Sequence, residues 1–164
     1  MEDHLLTQEN DKTIHVPMSR FRGGNIDDVI VHQLVDSLEG VCDNFGYVER
    51  GSLSLISHTI GRILTVDGKS MVEYKVRYRF RSLYPSNGDV YSCVIDSITK
   101  MGLIGYLKGV SALSESPLII IIPQKFTGQD KMDSFTEGDV VSIEVVNSRV
   151  KFKNSQIQVV GKLV

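Results

Sequence analysis

The stretch 71–83, MVEYKVRYRFRSL, restricts the fold of this chain more than any other part of its sequence. Apolar and charged side chains alternate along it. One parity holds Val72, Tyr74, Val76, Tyr78 and Phe80, and the other holds Glu73, Lys75, Arg77, Arg79 and Arg81. Neighbouring side chains of a strand point to opposite faces, so the pattern predicts a strand with one packed face and one charged face. About thirteen residues is long against a typical five or six, so this strand can belong to two sheets in succession.

A helix is predicted over 25–39. Asn25 can cap its N-terminus, Asp27 and Asp28 lie in the first turn, where the helix dipole favours anions, and Gly40 supplies a stop. Apolar residues recur along it at the spacing of one helix face. They are Ile26, Val29, Ile30, Leu34, Val35 and Leu38.

Strand signals surround the helix. Short strands are predicted over 13–18, 41–48, 52–57 and 61–66. Asp67-Gly68 is a hairpin signal that leads into the long strand. Residues 1–12 are polar and without periodicity, which predicts a flexible N-terminal tail. The residues 13–84 therefore predict an α+β domain with one helix on a small antiparallel sheet.

A turn at Pro85, Asn87 and Gly88 marks the predicted start of a second domain, 85–164. Five strands are predicted in it, over 89–98, 100–107, 118–122, 140–146 and 156–164. The second of them is bent by Gly102. The continuous apolar run LIIII at 118–122 predicts a buried central strand. Five strands with an early bend predict an all-β Greek-key barrel of the OB type.

The composition indicates neither catalysis nor a membrane span. The sequence has no P-loop, no GxSxG or HExxH motif and no paired zinc-ligand spacing, so we predict no catalytic residue, no metal site and no cofactor. Cys42 and Cys93 lack paired spacing and are interpreted as buried free thiols of a reducing compartment. No apolar run approaches the roughly 18 residues of a membrane span, and the polar start is not a signal peptide. We expect an intracellular, soluble protein without membrane contact.

The order and spacing of several segments resemble one protein family. Six segments follow one another as in the stalk subunits of RNA polymerases, which include subunit seven of RNA polymerase II and its archaeal counterpart. They are LEGVCDNFGYV, GRILTVDG, VEYKVRYRFRSLYPSNGDVYSCV, KMGLIGYL, EGDVVSIEVVNSRV and QVVGKLV. The resemblance covers about residues 13–164. No single motif is decisive, whereas the ordered series with its matching elements is specific.

The resemblance implies a non-catalytic subunit of DNA-dependent RNA polymerase. Its tip domain, 13–84, would dock on the core subunits, and its S1-type OB domain, 85–164, would lie beside the emerging RNA. The docking residues would be those of the loops at the narrow end of the tip, namely Phe21, Arg22, Gly23, Gly61, Arg62, Ile63, Asp67 and Gly68.

The resemblance also implies a smaller stalk partner of the subunit-four or archaeal F-like type. The loop 108–117 and the segment before Asp139 are compact for the family, so the surface facing this partner is expected to differ. A compact, divergent member would suit the polymerase of a large DNA virus, located in the host cytoplasm and the virion. A cellular eukaryotic member would be nuclear.

Contact with RNA requires local clusters of cations, because the net charge of the chain is -2. The basic row of the long strand, Lys75, Arg77, Arg79 and Arg81, could follow phosphates. A solvated face, or pairing with acidic residues nearby, is the simpler interpretation. The OB half is the better candidate for weak, non-specific binding of single-stranded RNA. Its residues are Lys100, Tyr106, Lys108, Arg149, Lys151 and Lys153. A free-standing S1/OB-type RNA-binding protein is the alternative function.

Overall fold

The computed structural model describes residues 4–128, 131 and 133–164, which divide into two compact units. The first unit consists of Leu6–Gly40 and Val48–Ser82. The second consists of Met1–Leu5, of which 4 and 5 are described, together with Val41–Tyr47 and Leu83–Val164. The units therefore interleave along the chain, whereas the predicted domains 13–84 and 85–164 are consecutive.

The α-helices and strands of the described residues follow the predicted order in the first half, where one strand precedes the helix and the other strands follow it. In chain order they are β1 (Leu6–Pro17), α1 (Ile26–Leu38), β2 (Cys42–Asp43), β3 (Gly46–Val48), β4 (Ser54–His58), β5 (Arg62–Val66), β6 (Lys69–Leu83), β7 (Val90–Thr99), β8 (Gly102–Leu107), β9 (Leu118–Pro123), α2 (Gln124–Thr127), β10 (Val140–Arg149) and β11 (Ile157–Leu163).

Strand β6 is the centre of the first unit. It pairs antiparallel with β1 from Leu6↔Ser82 to Pro17↔Met71, and on its other edge with β5 and β4. Its side chains alternate as predicted. The buried ones are Val72, Tyr74, Val76, Tyr78 and Phe80, while Lys75, Arg77 and Arg79 are exposed. The predicted long strand and its two faces are confirmed.

The prediction of a flexible tail over 1–12 is wrong for Leu6–Lys12, which forms the first half of β1. These residues pair with 76–82 of β6. A polar segment can serve as an edge strand because the ladder uses backbone groups, and opposite charges across the ladder add stability. Glu9 lies opposite Arg79, and Asp11 lies opposite Arg77.

Helix α1 begins and ends where the sequence predicts. The Asp27 N–H donates to Asn25 Oδ1 at 2.9 Å, and the helix gives way to Gly40, whose φ is 75°. The buried stripe consists of Val29, Ile30, Leu34 and Leu38. The helix makes hydrogen bonds to strands on both sides of β6. Gln33 Nε2 donates to the His15 carbonyl of β1 at 3.4 Å, and Asp27 bonds His58 of β4 at 2.8 Å. Helix α1 therefore covers the apolar face of the sheet.

The second unit contains a closed barrel with the strand order β10-β11-β9-β8-β7. All neighbouring strands are antiparallel except β9 and β11, which are parallel. Ile95, Leu103, Ile120, Ile143 and Val159 lie in its core, each 0 or 1% exposed. A closed barrel of five strands agrees with the OB-type prediction. At the bend, a Cβ on Gly102 would lie 2.1 Å from the Ile122 carbonyl oxygen, so only glycine fits there.

The apolar run 118–122 is only half buried, although the sequence predicts a buried central strand. Leu118, Ile120 and Ile122 are 0% exposed, whereas Ile119 is partly exposed and Ile121 is 36% exposed. A barrel strand alternates between the interior and the outer surface, so two of the isoleucines must point outward.

Candidate functional site

Two of the predicted docking segments meet at Tyr74, a buried residue of β6. The ring centroid of Phe21 lies 6.4 Å from that of Tyr74. A Cβ on Gly61 would lie 2.9 Å from the Tyr74 ring and 2.6 Å from Val72 Cγ1. A side chain at position 61 would therefore clash with both residues. Arg22 and Gly23 follow Phe21 and are exposed. The structure therefore brings the Phe21 turn and Gly61 together, although they are far apart in sequence.

Asp67 and Gly68 lie farther along the same sheet. They form the two-residue turn between the paired residues Val66 and Lys69, with φ values of 50° and 74°. Positive φ at both positions is typical of a type I′ turn, as the Asp-Gly signal predicts. Ile63 and Asp67 are four positions apart along an extended chain, a distance of roughly 13 Å. This turn is therefore a separate feature from the Phe21–Gly61 contact.

Isoleucines are unusually exposed beside the Phe21–Gly61 contact. Ile60 is 95% exposed and Ile63 is 70% exposed, and Ile26 at the start of α1 is 47% exposed. Of these, the sequence analysis names only Ile63 as a docking residue. The available signal for Ile60 is its position in SHTIGR, a polar stretch between two strands, where no regular element can bury it. Adjacent apolar side chains left in water are a common feature of protein-binding surfaces.

His58 joins the end of β4 to the start of α1. Its ring lies edge-on to Tyr74 at a centroid distance of 5.5 Å, with Nε2 2.8 Å from Asp27 Oδ1 and Nδ1 2.7 Å from the Thr59 carbonyl oxygen. The Thr59 carbonyl and, to a smaller extent, the Asp27 carboxylate raise the pKa of His58 above its ordinary value. Protonation of His58 therefore strengthens the contact that orients α1 against β4.

The three arginines of the basic row of β6 pair with carboxylates of the same unit. Arg79 Nη2 lies 2.8 Å from Glu9 Oε1, and Arg77 lies 3.1 Å from Glu9 Oε2 and 3.6 Å from Asp11 Oδ1. Arg81 bonds Glu49. The guanidinium groups of Arg79 and Arg77 lower the pKa of Glu9. The acidic partners in β1 confirm pairing with acidic residues nearby, the simpler interpretation of this row.

The six predicted RNA-binding residues fall into two groups at opposite ends of the barrel. Lys100 lies in the turn between β7 and β8, and Lys108 directly follows β8, a strand of roughly 20 Å. Arg149 is the last residue of β10. Strands β10 and β8 both end near the start of β7, since Glu144 pairs with Val90 and Leu107 pairs with Cys93, so Arg149 and Lys108 lie at the same end of the barrel. The cations of the second group are Lys108, Arg149, Lys151 and Lys153.

Phe152 lies within this second group and was missed by the sequence analysis. It is 66% exposed, and the Lys153 ammonium lies 5.8 Å from its ring centroid. Lys151 and Lys153 flank it and are both exposed. The alternation Arg149, Lys151, Lys153 is visible in the sequence, but an aromatic residue between cations is equally consistent with a buried core position.

Tyr106 lies on the outer face of the barrel. It pairs with Ile119 of β9, and Ile119 in turn lies opposite Gln158 of β11. Side chains opposite one another in a ladder share a face, so Tyr106 and Ile119 both point outward. The outer face of β8 and β9 therefore presents one aromatic ring among aliphatic side chains.

Both cysteines of the chain are buried and free. Burial raises the pKa of the Cys42 thiol to about 11 and that of Cys93 to about 12, which keeps both protonated at neutral pH. Over residues 4–128, 131 and 133–164, no three His, Cys, Asp or Glu side chains are grouped to hold a metal ion. No described helix is long and apolar enough to cross a membrane.

Comparisons with known proteins identify relatives over most of the chain. DNA-directed RNA polymerase II subunit rpb7 of Schizosaccharomyces pombe is 26% identical over 150 residues, covering 84% of this chain and 83% of the relative. DNA-directed RNA polymerase II subunit 7 of Arabidopsis thaliana is 25% identical, covering 87% of this chain and 76% of the relative. DNA-directed RNA polymerase II subunit RPB7 of Glycine max is 25% identical, covering 85% and 73%. No protein-family profile matches the sequence.

Proposed function

We propose that the chain is a member of the RNA polymerase stalk-subunit family, which includes subunit seven of RNA polymerase II, and that it is a non-catalytic subunit of a DNA-dependent RNA polymerase. The observation that carries the proposal is the extent of the similarity. It covers more than four fifths of this chain and about three quarters or more of each relative, so it includes residues of both units. A similarity to a shared OB barrel alone would end within one unit.

We propose that the first unit docks on the core subunits of the polymerase through the end that holds Phe21 and Gly61. The exposed side chains of Ile26, Ile60 and Ile63 support this assignment, since a protein partner would remove their apolar surface from water. Arg62 is 71% exposed despite its contact with Glu73 at 3.7 Å, so it can still reach a partner. The other predicted docking residues, Arg22, Gly23, Asp67 and Gly68, would lie at the border of this surface.

Affinity purification of the tagged chain from its native source tests the proposal. The large polymerase subunits should co-purify with the wild-type chain. The variant Ile60→Asp, Ile63→Asp should lose them, because burying two carboxylates without partners is unfavourable. Ile98→Asp is the matched control, since Ile98 is also an exposed isoleucine but lies on β7. Recovery of no polymerase subunit with the wild-type chain would overturn the proposal.

We propose that the second unit contacts nascent single-stranded RNA, weakly and without sequence preference, through cations at the end of its barrel. A smaller stalk partner, of the subunit-four or archaeal F-like type, is the expected neighbour in the complex. The same cations favour a second candidate function, a free-standing single-stranded RNA-binding protein of the S1/OB type. The variant Arg62→Ala, Ile63→Ala separates the two functions. Loss of assembly into polymerase supports the role of a polymerase component, and unchanged cellular function supports the free-standing protein.

A further inference from the structure

The loop 150–156 between β10 and β11 combines an exposed aromatic ring with unpaired cations. Among the described residues, Arg149, Lys151 and Lys153 make no ion pair, whereas Arg77, Arg79 and Arg81 of β6 all do. No Asp or Glu follows Glu144 in the sequence, while four cations do. The segment 149–153 is therefore a local group of cations without ion-pair partners among the described residues, in a chain of net charge -2.

The loop is held in its middle and at its C-terminal end by hydrogen bonds within its own unit. The Lys153 N–H donates to the Cys42 carbonyl at 2.8 Å, and the Cys42 N–H donates to the Asn154 carbonyl at 2.7 Å. Gln156 Nε2 donates to the carbonyl oxygens of Leu113 at 2.7 Å and Ser116 at 3.0 Å. Phe152 is thus presented to solvent from a fixed backbone, which lowers the entropy that a ligand must remove.

We propose that this loop binds single-stranded RNA by stacking a base on Phe152, with Lys151 and Lys153 on the flanking phosphates. The inference rests on the proposed RNA contact of the second unit and locates it. Exposed aromatic rings and cations are the two components of single-strand recognition by OB barrels. One of the binding elements of these barrels is the loop between their fourth and fifth strands, here β10 and β11. The other binding element is the outer face of the second and third barrel strands, and here that face of β8 and β9 carries mainly isoleucines.

Tyr106 offers a second ring at the same end of the barrel. It lies two strands from Gln158, a lateral distance of about 10 Å, and Gln158 is the second residue of β11 after the loop. Lys108 continues from β8 at this end. RNA bound at Phe152 can therefore extend across Ile119 toward Tyr106 and Lys108. Lys100, at the opposite end of the barrel, lies outside this path.

Fluorescence anisotropy with the full chain and a labelled 12-nucleotide oligouridine tests the proposal. Phe152→Ala should weaken binding by roughly 5- to 100-fold without changing its salt dependence, because stacking involves no counterion release. Lys151→Gln, Lys153→Gln should reduce the slope of log K against log salt by about 1.4. Phe152→Trp should retain binding. Tyr84→Ala is the matched control, since Tyr84 is an exposed aromatic residue, 49%, outside the loop.

The outcomes separate this inference from the proposed function. Unchanged RNA affinity in Phe152→Ala, or an equal loss in Tyr84→Ala, would overturn the stacking role. Co-purification of the polymerase with Phe152→Ala should be as strong as with the wild-type chain, and this result stands independently of RNA binding. Loss of polymerase without loss of RNA affinity would make the loop a protein contact and would also overturn the inference.

Discussion

Replacement of Phe80 by alanine tests whether β6 organises the first unit. Phe80 is 0% exposed, and its ring centroid lies 5.6 Å from that of Tyr78. Removing a fully buried phenylalanine costs its transfer free energy and leaves a cavity, together about 3–5 kcal/mol. That is a large fraction of the 5–15 kcal/mol that typically separates folded and unfolded domains. Phe80→Ala should therefore leave the first unit only marginally folded.

The matched control is Arg79→Ala, one residue earlier and on the opposite face of β6. The Arg79 side chain is 53% exposed, and its loss removes one contact with Glu9. Exposed ion pairs contribute about 0.2–1 kcal/mol, so the control should cost several times less than Phe80→Ala. The two substituted residues are neighbours in the chain, but their side chains lie on opposite faces of the sheet.

Urea unfolding followed by tyrosine fluorescence measures the difference, since the chain contains no tryptophan. With a slope of about 1–3 kcal/mol/M, a loss of 4 kcal/mol lowers the midpoint by more than about 1 M. If the two units unfold separately, only the transition of the first unit should move. Equal midpoints for Phe80→Ala and Arg79→Ala would refute the assignment of the two faces.

Three further predictions concern the first unit. His58→Gln should lower the melting temperature more at pH 5.5 than at pH 8.5. The pKa of His58 is raised in the folded state, so its protonation stabilises the protein at a pH below its unfolded-state pKa near 6.5, and this stabilisation is lost as the pH rises through the folded-state pKa. An equal loss at both pH values would contradict this. Deletion of 1–12 should lower the urea midpoint and promote association through the uncovered edge of β6, seen by size-exclusion chromatography, whereas a flexible tail would be dispensable. Glu9→Gln, Asp11→Asn should create a new RNA-binding surface by releasing Arg77 and Arg79. In anisotropy this gives a steeper salt slope, and an unchanged slope would show that those arginines remain neutralised.

The parts of the fold that could be predicted are those fixed by local pattern. The alternation in β6 and the cap and stop of α1 depend on residues close in sequence and were predicted correctly. The apolar stripe of α1 was also predicted correctly, except for Ile26, which is exposed. The strand at Leu6–Lys12 could not be predicted, because its polar residues form a strand only by pairing with residues of β6 more than sixty positions later in the chain. Local periodicity contains no information about such a partner.

The site depends still more on distant contacts. Ile119 and Ile121 point outward only because the barrel closes, which a run of five apolar residues does not reveal. Phe152 is exposed because its loop is bonded to Cys42, and no local signal distinguishes it from a core phenylalanine. By contrast, Asp67-Gly68 was correctly predicted as a turn, since the backbone geometry of a two-residue hairpin is set by those two residues.

The cations of the chain illustrate why charge patterns need the fold for their interpretation. The row on β6 is the more regular in sequence, yet its three arginines pair with Glu9, Asp11 and Glu49. The shorter row, Arg149, Lys151 and Lys153, makes no ion pair among the described residues, so its charges are available to a ligand. In the proposed function, the exposed isoleucines of the first unit contact a protein and the unpaired cations of the second unit contact RNA. Substitutions at the isoleucines change no cation, and substitutions in the loop change no isoleucine, so the two proposed contacts can be tested independently in one chain.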